Sequence, residues 1–226
     1  MTRAGNEVYD EPSDLPATVP VFPLAGVLLL PRRVLPLNIF EPRYLAMVEA
    51  ALHGDKLIGM IQPRIEADRS PLSARPPLER VGCVGRITQW AETGDGRLTI
   101  GLTGIARFRL VEELSTTTPW RICRIDATAF PTDFEAGRGE EAVDRGAVLA
   151  TLASWLEVHA PQIDRSSFEE ASNEALVDGL AMMSPCGPRE KQALLEVETV
   201  AERATLLIAV TERSLAGEGT ARGPLQ

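Results

Sequence analysis

Prolines divide the most apolar part of this chain, residues 19–40, into short pieces. The run Val-Pro-Val-Phe-Pro-Leu-Ala-Gly-Val-Leu-Leu-Leu-Pro ends at Pro31, and Leu-Pro-Leu-Asn-Ile-Phe follows from Leu35. Proline has no amide hydrogen to donate to a neighbouring strand, so a strand that contains one must end there or lie at a sheet edge. Two short strands are therefore predicted here, with ends or edges at Pro31 and Pro36.

A helix is predicted directly after these strands, from Pro42 to His53. Proline suits the first helical position because its φ is already helical and no donor is needed there. Glu41, just before it, suits the positive end of the helix dipole. Gly54 follows at the position where a left-handed cap is expected. Apolar residues recur three and four apart, which indicates one buried face, at Tyr44, Leu45, Met47, Val48, Ala51 and Leu52.

Further short apolar segments indicate an antiparallel sheet that continues to Phe130. Gly82 and Gly85 predict bends or bulges, Gly104 predicts a break, and Gly94-Asp95-Gly96 predicts a hairpin turn. Five or six such strands with glycine at their corners favour a small closed or partly closed barrel. Residues 63–80, which hold four prolines, are predicted to be a long loop. Strands are predicted at 57–62, 81–91, 98–110 and 120–130.

The period of the apolar residues becomes helical after an acidic, glycine-containing stretch at 133–139. Three helices are predicted: one over 143–160, one that begins at a capping box of Ser167 and Glu170, and one from Pro188 to about Leu215. The predicted organisation is a flexible tail at 1–17, a β-rich lobe at 18–132, a helical lobe at 138–216 and a second flexible tail at 217–226.

Charge and cysteine content argue against several classes of function. The net charge of -9 opposes nucleic-acid binding, which normally needs a basic surface. Cys83, Cys123 and Cys186 are odd in number and widely spaced, so neither a disulfide framework nor a zinc knuckle is indicated, and three buried thiols in a reducing compartment are expected. No secretory signal and no bilayer-spanning apolar run is recognised, which predicts a cytoplasmic protein without a membrane partner.

Several runs resemble the Lon protease N-terminal (substrate-binding) domain. The most specific is Phe40-Glu41-Pro42-Arg43-Tyr44, preceded by Val-Phe-Pro-Leu at 21–24 and Leu-Pro-Leu-Asn-Ile at 35–39. Residues 82–87, 94–97 and 104–109 are similar to the central hairpin of that family, and residues 190–196 to its late helix, whereas Pro-Cys-Gly at 185–187 departs from it. The resemblance covers nearly the whole chain. It implies an α+β fold, with an N-terminal PUA-like antiparallel β-barrel lobe carrying one helix and then a C-terminal α-helical bundle lobe.

The resemblance also implies a non-catalytic module that recognises polypeptides, in a stand-alone bacterial member of the family. Unfolded or client polypeptides and protease components are the expected partners, because the Lon domain binds substrate proteins and helps to assemble the protease. The sequence has no Gly-x-x-x-x-Gly-Lys phosphate loop, and only Lys56 and Lys191 are available to activate a serine. No catalytic, cofactor or metal residues are predicted, DNA is not expected as a partner, and the binding surface and the oligomeric state are not specified.

The remaining polar residues are predicted to be structural. His53 and His159 are each expected to close a helix, where an imidazolium favours the negative end of the dipole, rather than to share a metal. Glu41 is expected to cap its helix, and Arg43 to pair with a carboxylate or with carbonyls and so lock the barrel. The five residues from Phe40 to Tyr44 are accordingly interpreted as a family signature with a structural role.

Two alternative functions stay open at the level of the sequence. A PUA-like barrel would suggest an RNA-binding module, for which a basic stripe of Arg64, Arg69, Arg75 and Arg80 would have to outweigh the acidic balance. A hydrolase would need its site in the 63–80 loop or in the cleft between the lobes, and no pair of groups in the sequence supports one.

Overall fold

A computed structural model describes residues 1–64, 75–159, 168 and 170–221 of the chain. The chain divides into two compact units, Met1–Ala136 (unit 1) and Gly137–Gln226 (unit 2). The division falls inside the acidic stretch at 133–139. Within the described residues, no helix is long and apolar enough to cross a membrane.

Unit 1 combines strands with a single α-helix in its described part. Strands β1 and β2 form an antiparallel hairpin, and the other six strands form one sheet in the order β4-β7-β6-β5-β3-β8. The elements are β1 Thr2–Ala4, β2 Glu7–Tyr9, β3 Thr18–Pro23, β4 Val34–Ile39, α1 Pro42–His53, β5 Leu57–Pro63, β6 Leu78–Glu92, β7 Leu98–Leu114 and β8 Arg121–Asp126.

The six-stranded sheet is mixed rather than antiparallel throughout, so the fold is α+β with a mixed sheet. Val21 of β3 lies opposite Gly59 of β5 in a parallel pair, whereas the other described pairs are antiparallel. The prediction of an antiparallel sheet is wrong at this pair, because the connection from β3 to β5 contains β4 and α1 and is long enough for a crossover. The first half of β7 pairs with β4 and its second half with β8, which also pairs with β3. Strands β7-β6-β5-β3-β8 therefore form a closed ring.

Close backbone approach holds the leucine run at 28–30 against β7. Gly104 N donates to Arg33 O at 2.9 Å, and Arg32 N donates to Gly104 O at 2.8 Å. A Cβ atom at Gly104 would lie 2.1 Å from the carbonyl oxygen of Leu30, so only glycine allows this approach. The predicted break at Gly104 is wrong, since β7 continues through it. A register shift next to Gly85 confirms the predicted bulge there.

Residues 1–17 are ordered and belong to unit 1, which contradicts the prediction of a flexible tail. Thr2 lies opposite Tyr9 in the β1–β2 hairpin. Ala4, Tyr9 and Leu15 are buried in the core cluster of unit 1. Arg86 Nη1 donates to the Tyr9 hydroxyl at 3.3 Å. The acidic residues of this segment are exposed to solvent. Burial of only three apolar side chains is therefore enough to hold residues 1–17 against the sheet.

Helix α1 confirms the predicted bounds, Pro42–His53, with proline in the first turn. Its C-terminal cap differs from the prediction. Gly54 has a φ of -110°, and the left-handed residue is Lys56, with a φ of 62°. Lys56 N donates to Ala51 O at 2.9 Å, and the left-handed residue therefore comes two positions after Gly54.

Unit 2 is helical, and its helix boundaries differ from the predicted ones. Helix α3 begins after Ser172, whose Oγ accepts from Ala175 N at 3.1 Å, and the predicted cap Ser167 lies outside the described residues. The predicted last helix is two helices, because Thr199 and Glu202 form a reciprocal capping box that starts a new one. The predicted tail at 217–226 overlaps the last helix. The helices are α2 Arg145–His159, α3 Asn173–Met183, α4 Pro188–Glu196 and α5 Val200–Ala221.

Candidate functional site

The signature run Phe40–Tyr44 connects β4 to α1 and has an exposed part and a buried part. Phe40 is 62% exposed. Tyr44 is buried, and its ring lies against Phe22 with the ring centroids 4.1 Å apart. Burial raises the pKa of the Tyr44 hydroxyl. Tyr44 therefore anchors α1 on the sheet, while the ring of Phe40 is open to contact.

Glu41 and Arg43 form an ion pair at the surface. Arg43 Nε donates to Glu41 Oε2 at 2.9 Å, and the side chains are 46% (Arg43) and 44% (Glu41) exposed. The guanidinium also lies 4.5 Å from the centroid of the Tyr44 ring. Glu41 occupies the N-cap position, but its side chain accepts no hydrogen bond from the helix. The prediction that Glu41 caps α1 is wrong for its side chain, because Arg43 engages the carboxylate instead.

The free edge of the six-stranded sheet lies along β4, the first strand in its order. Gly104 N donates to Arg33 O, and backbone groups alternate in direction along an antiparallel strand. The outward groups of β4 therefore belong to Val34, Pro36 and Asn38. Pro36 lacks an N–H group in the middle of this row, which interrupts strand addition by another chain. The predicted edge position of Pro36 is confirmed.

Exposed apolar side chains lie around this edge, in which Pro36 interrupts the row of N–H groups. Val34, Phe40 and Trp90 are 52%, 62% and 56% exposed. Ile100 of β7 lies opposite both Leu37 of β4 and Trp90 of β6, so these three residues form one row across the sheet. Trp90 and Val34 were not predicted as site residues. The signal for Trp90 was a large aromatic residue among polar neighbours beside the hairpin turn. Successive side chains of a strand point to opposite faces, so Val34 lies on the other face of the sheet from this row. We call Val34, Leu37, Phe40 and Trp90, which lie around this edge on both faces, the β4 region.

Carboxylates neutralise part of the predicted basic stripe. Glu113 accepts hydrogen bonds from Arg75 Nε at 2.7 Å and from Arg121 Nε at 3.0 Å. Burial alone would raise the pKa of Glu113, but the hydrogen bonds from these two arginines outweigh it, and the pKa is lowered. Arg64 lies 3.9 Å from Glu79. Arg69 lies outside the described residues and Arg80 is exposed. This arrangement weighs against an RNA-binding face.

The buried side chains of Arg107 and Asp133 in unit 1 are bonded to each other. Arg107 donates from Nε and Nη2 to the Asp133 carboxylate at 2.9 and 2.7 Å, and its main-chain N donates to the same carboxylate at 2.8 Å. The Arg107 side chain is 2% exposed and that of Asp133 is 7% exposed.

Burial raises the pKa of the Cys83 thiol, and raises that of Cys123 to about 11. These thiols are protonated near neutral pH, which makes them poor nucleophiles.

Lys191 caps a helix in unit 2. Its ammonium donates to the carbonyls of Ala181 and Met182, in the last turn of α3, at 2.8 and 2.7 Å. Ser184 Oγ donates to the same Ala181 carbonyl at 3.0 Å, so the serine and the lysine share an acceptor and do not form a nucleophile–base hydrogen bond. Burial lowers the pKa of Lys191 to about 8.

The histidines occupy the predicted helix ends. His53 is the last residue of α1, with Nδ1 2.8 Å from Glu49 O, and His159 is the last residue of α2. No group of His, Cys, Asp and Glu within the described ranges is arranged to hold a metal ion. Cys186 is only partly buried, unlike the prediction of three buried thiols. Most of the loop proposed for a hydrolase, residues 65–74, lies outside the described residues.

Comparisons with known proteins agree with this fold. The family model described as the ATP-dependent protease La (LON) substrate-binding domain matches residues 18–213. The chain is 28% identical over 204 residues to Lon protease 2 of Myxococcus xanthus, covering 88% of this chain and 24% of that protein. It is 26% identical over 203 residues to the Lon protease of Dictyoglomus thermophilum, covering 86% and 24%. The chain spans about a quarter of the length of these relatives.

Solved structures share the fold. The N-terminal domain of Mycobacterium avium complex Lon protease superposes with a TM-score of 0.62 at 21% identity, covering 86% of this chain and 98% of that one. The Lon N-terminal domain protein from Xanthomonas campestris has a TM-score of 0.57 at 22% identity, covering 85% and 97%. Since the family model matches most of its length, the chain belongs to the LON substrate-binding domain family.

Proposed function

We propose that this chain is a cytoplasmic polypeptide-recognition module that holds unfolded or client segments and does not itself hydrolyse ATP or cleave peptide bonds. The observation that carries the proposal is the set of exposed apolar side chains in the β4 region, in a member of a substrate-binding family. The closed ring of five strands supports a PUA-like barrel as the scaffold of this region. A protease component is the second proposed partner.

Recognition is expected to use side chains rather than the sheet edge. Pro36 interrupts the outward N–H groups of β4, so a client strand cannot complete a regular ladder there. Phe40 and Trp90, and Val34 on the face of the sheet opposite to Trp90, instead offer apolar area to the apolar side chains of an unfolded chain. Each such side chain gains about 1.5–3 kcal/mol when it is fully buried. One contact is therefore weak and several are needed, which suits a module that must accept many sequences and release them.

Calorimetry with a reduced, carboxymethylated globular protein as the unfolded probe tests this proposal. We expect a dissociation constant of about 10–100 µM for the unfolded probe and no binding of the same protein in its native form. The double variant Phe40→Ala/Trp90→Ala should bind at least about tenfold more weakly, since two anchors are lost. Val111→Ala is the matched control, because Val111 is 57% exposed on β7 outside the β4 region.

Absence of binding by the unaltered chain at 1 mM probe, roughly the weak limit of specific association, would contradict the proposal. A second measurement addresses catalysis. The pure chain should leave casein intact with and without ATP, and ATP-dependent cleavage would contradict the non-catalytic part of the proposal alone.

A further inference from the structure

An exposed carboxylate lies beside the exposed indole of the β4 region. Trp90 and Glu92 are both exposed on β6. Alternate residues of a strand point to the same face and follow each other at about 7 Å along it. Glu92 lies opposite Leu98 of β7, and Leu98 lies opposite Ile39 of β4, the residue before Phe40. The Glu92 carboxylate therefore borders the apolar surface proposed to hold a client.

Glu92 carries a negative charge that no described residue pairs. The other charged side chains near this end of the sheet pair among themselves. Arg43 lies 2.8 Å from Glu41, and Arg97 lies 3.3 Å from Asp95. Glu92 takes part in no ion pair or hydrogen bond of its side chain within the described ranges. It is therefore the carboxylate of this group that is open to a cation from another molecule.

Two further cations of unit 1 are too distant to neutralise Glu92. Lys56 O accepts from Ile87 N, five residues before Glu92 on β6. Arg33 directly precedes β4, six residues before Ile39 in the row of Glu92. At about 3.3 Å per residue these separations are roughly 16 and 20 Å. Both exceed the Debye length of about 8 Å at physiological salt, so solvent screens these charges from the carboxylate.

The signature run shows which cation suits a carboxylate beside an aromatic ring. The Arg43 guanidinium donates to Glu41 at 2.9 Å and lies 4.5 Å from the centroid of the Tyr44 ring. Trp90 and Glu92 offer the same two kinds of partner, and no described cation lies over the Trp90 ring. Tryptophan is the best aromatic partner for a cation, and the flat guanidinium can stack and bond a carboxylate at once.

We propose that Trp90 and Glu92 select client segments in which an arginine lies next to an apolar side chain. The client guanidinium stacks on the indole of Trp90 and donates to the Glu92 carboxylate, while the neighbouring apolar side chain contacts Phe40. The proposal rests on the proposed function, since its occupant is a client polypeptide held in the β4 region. The net charge of -9 acts in the same direction, because it attracts basic segments and repels acidic ones.

Calorimetry with a matched pair of peptides tests the selection. The first is a short unstructured peptide of glycine, serine, leucine and phenylalanine with one central arginine. The second carries citrulline instead, which has nearly the same shape without the charge. We expect the arginine peptide to bind the full chain about tenfold more tightly than the citrulline peptide, from the ion pair and the cation–π contact together.

Variants of the two residues divide this ratio between its causes. Glu92→Gln and Trp90→Leu should each lower the ratio to about threefold, because each removes one of the two partners of the guanidinium. The double variant should bring the ratio to about one. The apolar area that Trp90→Leu removes is lost from both complexes, so it does not affect the ratio. Glu212→Gln is the matched control, since Glu212 is an exposed carboxylate of unit 2 and its loss changes the net charge equally.

The outcomes separate this proposal from the proposed function. If both peptides bind the unaltered chain equally, or if Glu92→Gln keeps the full ratio, selection of arginine is overturned and the proposed function stands. If the arginine peptide does not bind at about 1 mM but the carboxymethylated unfolded protein does, selection of arginine alone is overturned. If neither peptide nor the unfolded protein binds, the proposed function fails and the selection of arginine fails with it.

Discussion

Units 1 and 2 each bury an Arg–Asp pair, but unit 2 also buries a lysine whose ammonium donates to neutral carbonyls. In unit 1, the Arg107 guanidinium meets the carboxylate of Asp133, which also accepts from a main-chain amide. In unit 2, the Lys191 ammonium donates to the neutral carbonyls of Ala181 and Met182. An opposite charge stabilises a buried ion far more than a dipole does. Burial therefore lowers the pKa of Lys191 to about 8.

The difference shows what each buried charge holds together. Asp133 and Arg107 join two segments that are 26 residues apart, and the Asp133 main-chain oxygen also accepts from Thr2 in the first strand. Asp133 therefore links β7 and β1 within unit 1. Unit 2 contains a pair of the same kind, Arg203 with Asp178 at 2.8 Å, but Lys191 only caps the end of one helix. The stability of unit 2 should therefore depend on pH just above neutrality.

The largest effect is expected at Gly104 of unit 1. Gly104→Ala would place a Cβ atom 2.1 Å from Leu30 O, so either β7 or the leucine run must move, at a cost of about 4 kcal/mol or more. Gly179→Ala in α3 is the control in unit 2. An added Cβ meets nothing within 4 Å there, and a helical glycine costs about 0.5–1 kcal/mol, so this variant should be stabilised. Urea unfolding followed by circular dichroism measures both, and an unchanged midpoint for Gly104→Ala would refute the tight approach.

Loss of the carboxylate in unit 1 should have the next largest effect. Asp133→Asn leaves the Arg107 guanidinium buried without its charge partner and should lower the free energy of unfolding by about 3 kcal/mol. The double variant Arg107→Met/Asp133→Leu should recover most of that loss, since a buried ion pair is often no better than an apolar pair. Urea unfolding compares the three proteins. If Asp133→Asn is as stable as the unaltered chain, the ion pair does not stabilise unit 1.

Lys191 should make unfolding depend on pH in a way that its methionine variant does not. The folded pKa of about 8 lies below the ordinary 10.5, so between these values the unfolded chain binds more protons than the folded one. Stability from this group should therefore rise with pH across that interval, by up to about 1.4 kcal/mol per pH unit. The difference in unfolding free energy between the chain and Lys191→Met, measured from pH 7 to 10.5, isolates the effect from tyrosine and cysteine titration. A constant difference would mean that Lys191 keeps an ordinary pKa.

The smallest effect is expected at the exposed ion pair of the signature run. Glu41→Gln should change the free energy of unfolding by less than about 0.5 kcal/mol, because exposed ion pairs are screened by solvent. Thermal unfolding at low and high salt suffices to measure it. A loss above about 1 kcal/mol would mean that Glu41 does more for α1 than the surface pair indicates.

Local signals in the sequence account for the elements that were predicted well. Helix α1 was predicted within its observed bounds because its proline start and its apolar spacing lie within 12 residues. The start of α5 had an equally local signal, the Thr199-x-x-Glu202 capping box, which the long apolar period of the region concealed. Pro36 was placed correctly at an edge because its missing donor restricts it in any sheet.

The sequence by itself determined the family, the helix start at Pro42, the edge character of β4 and the change from strands to helices near residue 133, because each depends on the chemistry of neighbouring residues. Only the tertiary structure decided that β3 runs parallel to β5 and that residues 1–17 join the core. These features depend on which distant segments meet. The sequence of one segment does not show which distant segment of the chain will pack against it.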